Sequence, residues 1–387
     1  MRVLQLGKYF PPFRGGIEAH VHTLSHALAR AGLDVDALVV NHASAKGDVE
    51  WRAAARTRTC VEHDGPVHVH RVGRLVNVAH YDVCARLPLL LSRLARRADV
   101  VHLHVPNPTM GVALAALPHL RTPLVITHHA DVYSQRFLRH LLRPIDRLLY
   151  GRAARVFATS PPYNEASSLL GRYQDKVSVL PLGIDLSPHT DPSSEVLEEA
   201  ARLRERYPEP RWLMVGRLVY YKGHTFALRA MQKLPGSLVV IGAGPLAGPL
   251  WDEARALGVG DRVTFLGEVR EQVLHAAYHA ATALLFPGIA RSEAFGLAQV
   301  EAMASGCPVL NTHIPGSGVA WVCPHEEAGL TVPIEDPDAL AAVARRLLDE
   351  PGLQERLGAA GRERALRLFG RDRMAATCAE HYRDVLA

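Results

Sequence analysis

The 387 residues are 48% hydrophobic and 21% charged, the make-up of a globular chain with core enough for roughly two domains. The net charge of +5 is uneven: residues 1–185 carry 23 Lys and Arg against 14 Asp and Glu, a surplus of +9, and the remainder carries 21 against 25, or −4. A basic half suits an anionic lipid surface or an acidic small substrate, whereas nucleic acid finds no aromatic platform, helix-turn-helix signal or zinc spacing; no run reaches the ~20 apolar residues of a membrane span, and Met1–Leu6, stopped by Gly7 and Lys8, is too brief for a secretory segment.

In chain order, Arg2 to Leu6, Asp36 to Val40, Val67 to Val72, Val100 to His104, Leu124 to Thr127, Arg155 to Thr159 and Val177 to Pro181 read as short strands. Helical patterns lie between several of them, such as Glu18 to Ala31 with Gly32 as its stop. The scheme repeats with Trp212 to Val215, Leu238 to Ile241, Val263 to Leu266, Ala283 to Phe286 and Pro308 to Asn311. Such alternation predicts an α/β fold of two Rossmann-like, doubly wound parallel sheets covered by helices, with a ligand in the cleft between them. Pro, Ser, His and Asp accumulate from Asp185 to Pro192, which places a boundary between domains 1–187 and 188–369.

Two segments of the second half carry the chemistry. In Val215-Gly-Arg217-Leu-Val-Tyr-Tyr-Lys222-Gly223 an apolar run ends in glycine and two cations follow, a geometry that projects both into one crevice at a strand's carboxyl end. Arg217 can fork onto phosphate oxygens and Lys222 acts as a point charge. Further on, Glu293 and Glu301 stand eight residues apart on a loop that enters a helix from Leu297 to Ala304, stopped by Gly306 and Pro308. The amides near Phe295, Gly296 and Leu297 suit a diphosphate, helped by the positive end of the helix dipole. Cations, amides and carboxylates together describe a nucleotide-sugar site, although either glutamate alone would be an ordinary surface residue.

Other patterns weigh less. Gly242-Ala-Gly244-Pro-Leu-Ala-Gly248 misses the dinucleotide fingerprint by one residue. Asp34-Val-Asp36 enters a strand, and Asp336-Pro-Asp338 reads as a helix start with proline in its first turn, so neither is expected to hold a metal. His68, His70, His102 and His104 alternate along two strands and are expected to be half-buried, with no acidic partner pattern for a metal. The cysteines, Cys60, Cys84, Cys307, Cys323 and Cys378, form no C-x-x-C pair and leave an odd one, which favours reduced thiols in a cytoplasm.

The chain resembles the retaining nucleotide-sugar glycosyltransferases of family 4. The matching pieces are Gly15-Gly16-Ile17-Glu18, Thr127-His-His-Ala-Asp131, Gly183-Ile-Asp185, the Arg217 to Gly223 element, Gly242-Ala-Gly-Pro245 and the Glu293 to Glu301 segment, in family order from residue 2 to about 370. The resemblance implies the GT-B fold, with residues 370–387 as a final helix, Arg371 to Leu386, crossing back to the first domain. It implies transfer of a hexose from a nucleoside diphosphate to a hydroxyl with retention, without metal or other cofactor. His129 is then the active-site histidine, able to donate to a sugar hydroxyl or backbone oxygen, with His128 and Asp131 as acceptor-side candidates. Arg217 and Lys222 neutralise the leaving diphosphate, Glu293 contacts sugar hydroxyls, Glu301 holds the ribose diol, and Gly15 and Gly16 shield the phosphate. Gly242 and Gly267 complete the donor site.

The opening Gly-Lys-Tyr-Phe-Pro-Pro and Gly-Gly-Ile-Glu most resemble bacterial mannosyl- or rhamnosyl-type transferases of surface polysaccharide assembly, which makes GDP-mannose the first donor, with UDP-glucose or another UDP-sugar close behind. A nucleotide-sugar epimerase and a nucleotide-sugar sensor are the alternatives. The acceptor is a glycan or a polyprenyl-diphosphate-linked oligosaccharide. Gln135 to Arg155 reads as a basic amphipathic helix, with Phe137, Leu138, Leu141, Leu142, Ile145, Leu148 and Leu149 on one face and Arg136, Arg139, Arg143, Arg147, Arg152 and Arg155 supplying charge. Such a helix either lies on anionic lipid, making the protein peripheral at the inner face of the plasma membrane, or packs on a sheet with its arginines solvated.

Overall fold

The computed structural model describes residues 1–13, 15–41, 57–78, 81–130 and 136–387, with the backbone alone over 136–142. The chain divides into two compact units, one of Met1–Gly183 with Arg371–Ala387 and one of Ile184–Gly370.

In the first unit the strands are β1 (Arg2–Leu6), β2 (Asp34–Asn41), β3 (Cys60–Asp64), β4 (Val67–Gly73), β5 (Val76–Val78), β6 (Tyr81–Val83), β7 (Val100–Val105), β8 (Leu124–His128), β9 (Arg155–Ala158) and β10 (Val177–Val179). Eight of them form one sheet in the order β10-β9-β8-β7-β1-β2-β4-β3, and β5 pairs with β6 alone. The large sheet is parallel except at its β3 edge. Successive side chains point to opposite faces, so Leu4, Leu6, Leu38 and Ile126 feed one apolar core while Val3, Val35, Val39 and Val125 feed the other. The second core is closed by Val21, Leu24 and Leu28 of the helix Gly16–Arg30 and by Met374, Cys378 and Tyr382 of the helix Arg371–Leu386.

The second unit holds β11 (Arg211–Val215), β12 (Ser237–Ile241), β13 (Val263–Gly267), β14 (Ala283–Phe286), β15 (Val309–His313) and β16 (Gly329–Pro333), in the order β13-β12-β11-β14-β15-β16. Every pairing is parallel. Its strands are near-continuous apolar runs because helices cover both faces.

Three kinds of strand escape the sequence patterns. β3, with the sequence Cys-Val-Glu-His-Asp, is an exposed antiparallel edge and needs no apolar face. β5 and β6 are three-residue strands, and β16 starts in glycine and ends in proline, residues that depress strand propensity. The histidine pattern also departs from expectation. His102 and His104 are fully buried in the central β7, and His70, on β4, lies 2.6 Å from Asp36 of β2, an acidic partner supplied by the adjacency of those two strands.

The basic segment is shorter than expected. The helix runs Arg136–Arg152, and Arg155 opens β9 instead of continuing its charged face. Leu149 and Tyr150 are buried whereas Leu148 is exposed, because at about 100° per residue a face centred between 149 and 150 leaves 148 on the far side of the helix. Arg152 is bound inward, donating to the carbonyls of Leu117 and Leu120 that end the preceding segment. The side chains of Arg136, Phe137, Leu138, Arg139, Leu141 and Leu142 lie outside the described residues, as does Gln135. Asp336 accepts from the Ala339 amide at 2.8 Å, the N-cap of the helix Pro337–Asp349. The five cysteines are free thiols.

Tyr382, fully buried at the heart of the second core, carries the attachment of the last helix. Tyr382→Ala is expected to destabilise the first unit by about 3–5 kcal/mol, the cost of removing a large buried ring. Urea unfolding followed by tryptophan and tyrosine fluorescence checks it; an unchanged midpoint would mean that the helix contributes little to that core.

Candidate active site

In the second unit, strand order proceeds from β11 outward to β13 and then resumes on the other side of β11 with β14. At such a reversal the loops leaving two neighbouring strands diverge over opposite faces and open a crevice at their carboxyl ends, where open α/β sheets bind ligands. The loop after β11 carries Arg217 and Lys222; the loop after β14 carries Glu293.

These loops touch. The Ile289 amide donates to the Tyr221 carbonyl at 2.9 Å. Gly223 makes the approach feasible: its φ is +70°, and a Cβ there would stand 1.8 Å from the carbonyl oxygen of Pro287. The result is an ion pair, Lys222 Nζ to Glu293 Oε2 at 2.6 Å, with both side chains largely buried. The Lys222 ammonium also lies 5.1 Å from the centre of the Phe286 ring. Among the described residues no donor meets hydrogen-bond geometry at that buried Glu293 oxygen, so the contact is charge against charge. The Ser317 hydroxyl anchors the Glu293 backbone, donating to its carbonyl at 2.5 Å. Arg217 is exposed.

The helix Leu297–Ala304 begins beside Glu293. Its cap is Gly296 at φ +83°, and no side chain caps the first turn, which leaves main-chain N–H groups directed outward. A Cβ on Gly296 would meet the Phe286 ring at 2.7 Å, so glycine is required both by conformation and by space. Phe295 packs its ring on Phe369, 5.6 Å between centroids, which leaves only its backbone for a ligand. Leu297 opens the helix itself.

Glu301 accepts the Tyr278 hydroxyl at 2.6 Å. The residue keeps some surface, but protein encloses its carboxyl. Burial raises its pKa above the usual carboxylate range, while the Tyr278 hydroxyl and Lys222 pull the other way. Gly242 and Gly267 close the β12 and β13 side, the Gly242 amide donating to the Gly267 carbonyl at 2.7 Å. That amide is therefore spent within the sheet.

The first unit has the same reversal between β1 and β7. The loop after β1 leads to Gly15, which caps the helix Gly16–Arg30 with no side-chain cap. His129 follows β8 and is held by its amide, which donates to the Val105 carbonyl at 3.0 Å. Adjacent residues again diverge. His128 Nδ1 meets the Tyr150 hydroxyl at 2.6 Å, a buried packing position under the helix Arg136–Arg152, while His129 turns toward His20 and His104. Asp131 lies outside the described residues.

A buried hydrogen-bond chain determines which nitrogen of His129 carries the proton. Gln5 Oε1 accepts from His104 Nε2 at 2.8 Å, so His104 Nδ1 is an acceptor and His129 Nε2–H donates to it at 3.2 Å. Gln5 donates in turn to the Tyr382 hydroxyl at 3.1 Å, which meets His102 Nδ1 at 2.6 Å. With Nε2–H thus engaged, the Nδ1 of His129 is left as an acceptor. Gln5, His20, Tyr278, Ser317 and Tyr382 had no local sequence signal: each acts on a partner brought to it by sheet order or helix docking.

The comparisons with known proteins agree with this architecture. Residues 14–188 match the family Glycosyltransferase Family 4, and residues 197–364 match Glycosyl transferases group 1. The D-rhamnosyltransferase WbpZ of Pseudomonas aeruginosa is 32% identical over 370 residues, spanning 95% of this chain and 92% of that protein. O-antigen chain mannosyltransferase C of Escherichia coli is 29% identical over 382 residues, spanning 97% and 96%. Among solved structures, sucrose-phosphate synthase from Thermosynechococcus elongatus has a TM-score of 0.76 at 23% identity, covering 99% of this chain and 98% of that one. Anabaena HepE in complex with UDP-glucose has a TM-score of 0.77 at 18% identity, covering 99% and 100%. Two Rossmann-like units with these loops define a GT-B glycosyltransferase that uses nucleotide sugars. The chain belongs to glycosyltransferase family 4.

Among the buried histidines of the first unit, His20, His102, His104 and His129 are held in the neutral form. Burial pushes His20 and His102 down to about 3 and holds His104 and His129 well below the ordinary imidazole range. Below pH 6.5, the ordinary imidazole value, the unfolded chain binds protons that the native state refuses. Stability present above that pH is therefore lost progressively as pH falls toward 3. Denaturant midpoints measured from pH 7.5 to pH 4.5 should decline steadily below 6.5, and a flat profile would show these rings to be charged or solvated in the fold.

Proposed function

We propose that the chain is a metal-independent, retaining hexosyltransferase that moves mannose from GDP-mannose to a hydroxyl of a glycan or polyprenyl-diphosphate-linked acceptor. The observation that carries the donor site is the Lys222–Glu293 pair at the β11/β14 reversal, beside an uncapped helix start. In the bond-breaking transition state negative charge accumulates on the diphosphate. Arg217, Lys222 and the amides near Gly296 would stabilise that charge as it develops, which is the requirement for raising rate and not merely affinity. With those positive groups in place, no metal ion is needed for the leaving group.

In this reading Glu293 exchanges part of its contact with Lys222 for sugar hydroxyls, and Glu301, oriented by Tyr278, accepts from the ribose diol. Gly15 and Gly16 would shield the phosphate, Gly242 and Gly267 would border the nucleotide, and His129 would accept a hydrogen bond from a sugar hydroxyl through Nδ1. The similarity to a rhamnosyltransferase and an O-antigen mannosyltransferase supports the mannose donor and a surface-polysaccharide acceptor. A UDP-sugar is the second reading, since the residues from Gly267 to Arg270 carry nothing that separates guanine from uracil. No helix among the described residues is long and apolar enough to cross a membrane, and peripheral attachment through the Arg136–Arg152 helix is part of the proposal; flotation with anionic vesicles at low and high salt tests it.

Thermal shift with GDP, UDP and ADP and their sugars is the first experiment, followed by product detection on lipid-linked acceptors with and without EDTA. GDP and GDP-mannose should stabilise the fold most, and EDTA should leave the rate unchanged. Arg217→Ala, at an exposed position, should lower turnover about 10²-fold, the scale for loss of one transition-state donor, with the melting temperature unaltered. Glu293→Gln should retain GDP binding yet lose transfer to a similar degree. Full activity in both variants would remove the site assignment.

A further inference from the structure

The structure assigns a transition-metal site to His22, His26 and Asp64, on the first unit and separate from the residues proposed for transfer. His22 and His26 stand one turn apart on the helix Gly16–Arg30 and so share a face. Asp64 ends β3, where the turn through Gly65 carries the chain back into β4, and Asp64 pairs with Val67 across that hairpin. Both imidazole Nε2 atoms lie 3.1 Å from the same carboxylate oxygen, Oδ2 of Asp64. The three ligand atoms all lie within 4.8 Å of one another.

This spacing fits a small divalent ion. For Zn–N and Zn–O bonds of about 2.0–2.1 Å, the edge of a tetrahedron is about 3.3–3.4 Å, so the two nitrogen–oxygen edges need open by only a few tenths of an ångström. Two imidazoles and one carboxylate occupy three corners and leave the fourth to water. Nitrogen ligands select Zn²⁺, Ni²⁺ or Cu²⁺ over Mg²⁺ and Ca²⁺, which prefer oxygen shells. Coordination through Nε2 requires each ring to be neutral with its proton on Nδ1. The side chains remain accessible, with His22 at 35%, His26 at 18% and Asp64 at 40% exposure. The elements beneath them are rigid: Val21, Leu24 and Leu28 bury the opposite face of the helix. His20 on the same helix points inward to His104 and His129 and takes no part. A bound ion would clip this helix, which starts at the Gly15–Gly16 loop, to the β3–β4 hairpin.

The test is titration of Zn²⁺ by calorimetry into the full chain freed of metal, carrying Cys60→Ser to remove the exposed thiol. One stoichiometric site is expected. His22→Asn, His26→Asn and Asp64→Asn should each weaken it at least about tenfold, since loss of even an outer-shell partner costs that much. His63→Asn should not change it. Zn²⁺ should also raise the melting temperature, and the rise should vanish in the His22→Asn/His26→Asn double variant. Substitution with Co²⁺ should yield the intense visible bands of a low-coordinate ion, lost with His26. Absence of saturable binding, or binding that survives the double variant, would overturn the assignment, and neither result bears on the transfer reaction.

Discussion

A parallel sheet whose strand order reverses once must send two adjacent loops apart at its carboxyl edge, and both units of this protein are built around that constraint. In the second unit the loops after β11 and β14 are kept in contact by a backbone hydrogen bond and by the absence of a side chain at Gly223. Only then do a lysine and a glutamate 71 positions apart in sequence come within ion-pair distance. A buried pair of this kind contributes little net stability, because desolvation of both charges offsets their attraction. What the pair does place in the crevice is a cation beside a carboxylate.

The two carboxylates illustrate how environment separates roles. Glu293 meets a cation and has an oxygen without an aligned donor, whereas Glu301 meets a phenol that points at one of its oxygens. The first is suited to exchanging partners, the second to holding one geometry. In the first unit the analogous polar cluster consists of neutral imidazoles joined to Gln5 and to Tyr382, so the last helix of the chain orients a histidine far from it in sequence. Charge is thus concentrated on one unit's loops and hydrogen-bond direction on the other's.

Much of this was legible beforehand. Short apolar runs alternating with helical patterns specify a parallel sheet with helices on both faces, and the glycine stops after Ala31 and Ser305 adopt the left-handed conformation expected of them. The clustering of Arg217, Lys222, Glu293 and Gly296 was legible as motif. What escaped was whatever lacks a local apolar signature: the edge strand β3, the three-residue strands β5 and β6, and the end of the basic helix at Arg152, short of the strand that Arg155 was expected to open.

Local sequence determined the elements, their order and the residue types at their ends, because periodicity and turn chemistry act over a few positions. Tertiary structure decided the pairings: Lys222 with Glu293, Tyr278 with Glu301, Asp36 with His70, and both His22 and His26 with Asp64. Each joins elements whose adjacency follows from strand order, sheet register or helix docking. Those depend on how whole apolar faces are buried, a property of the assembled chain that no short stretch of residues contains.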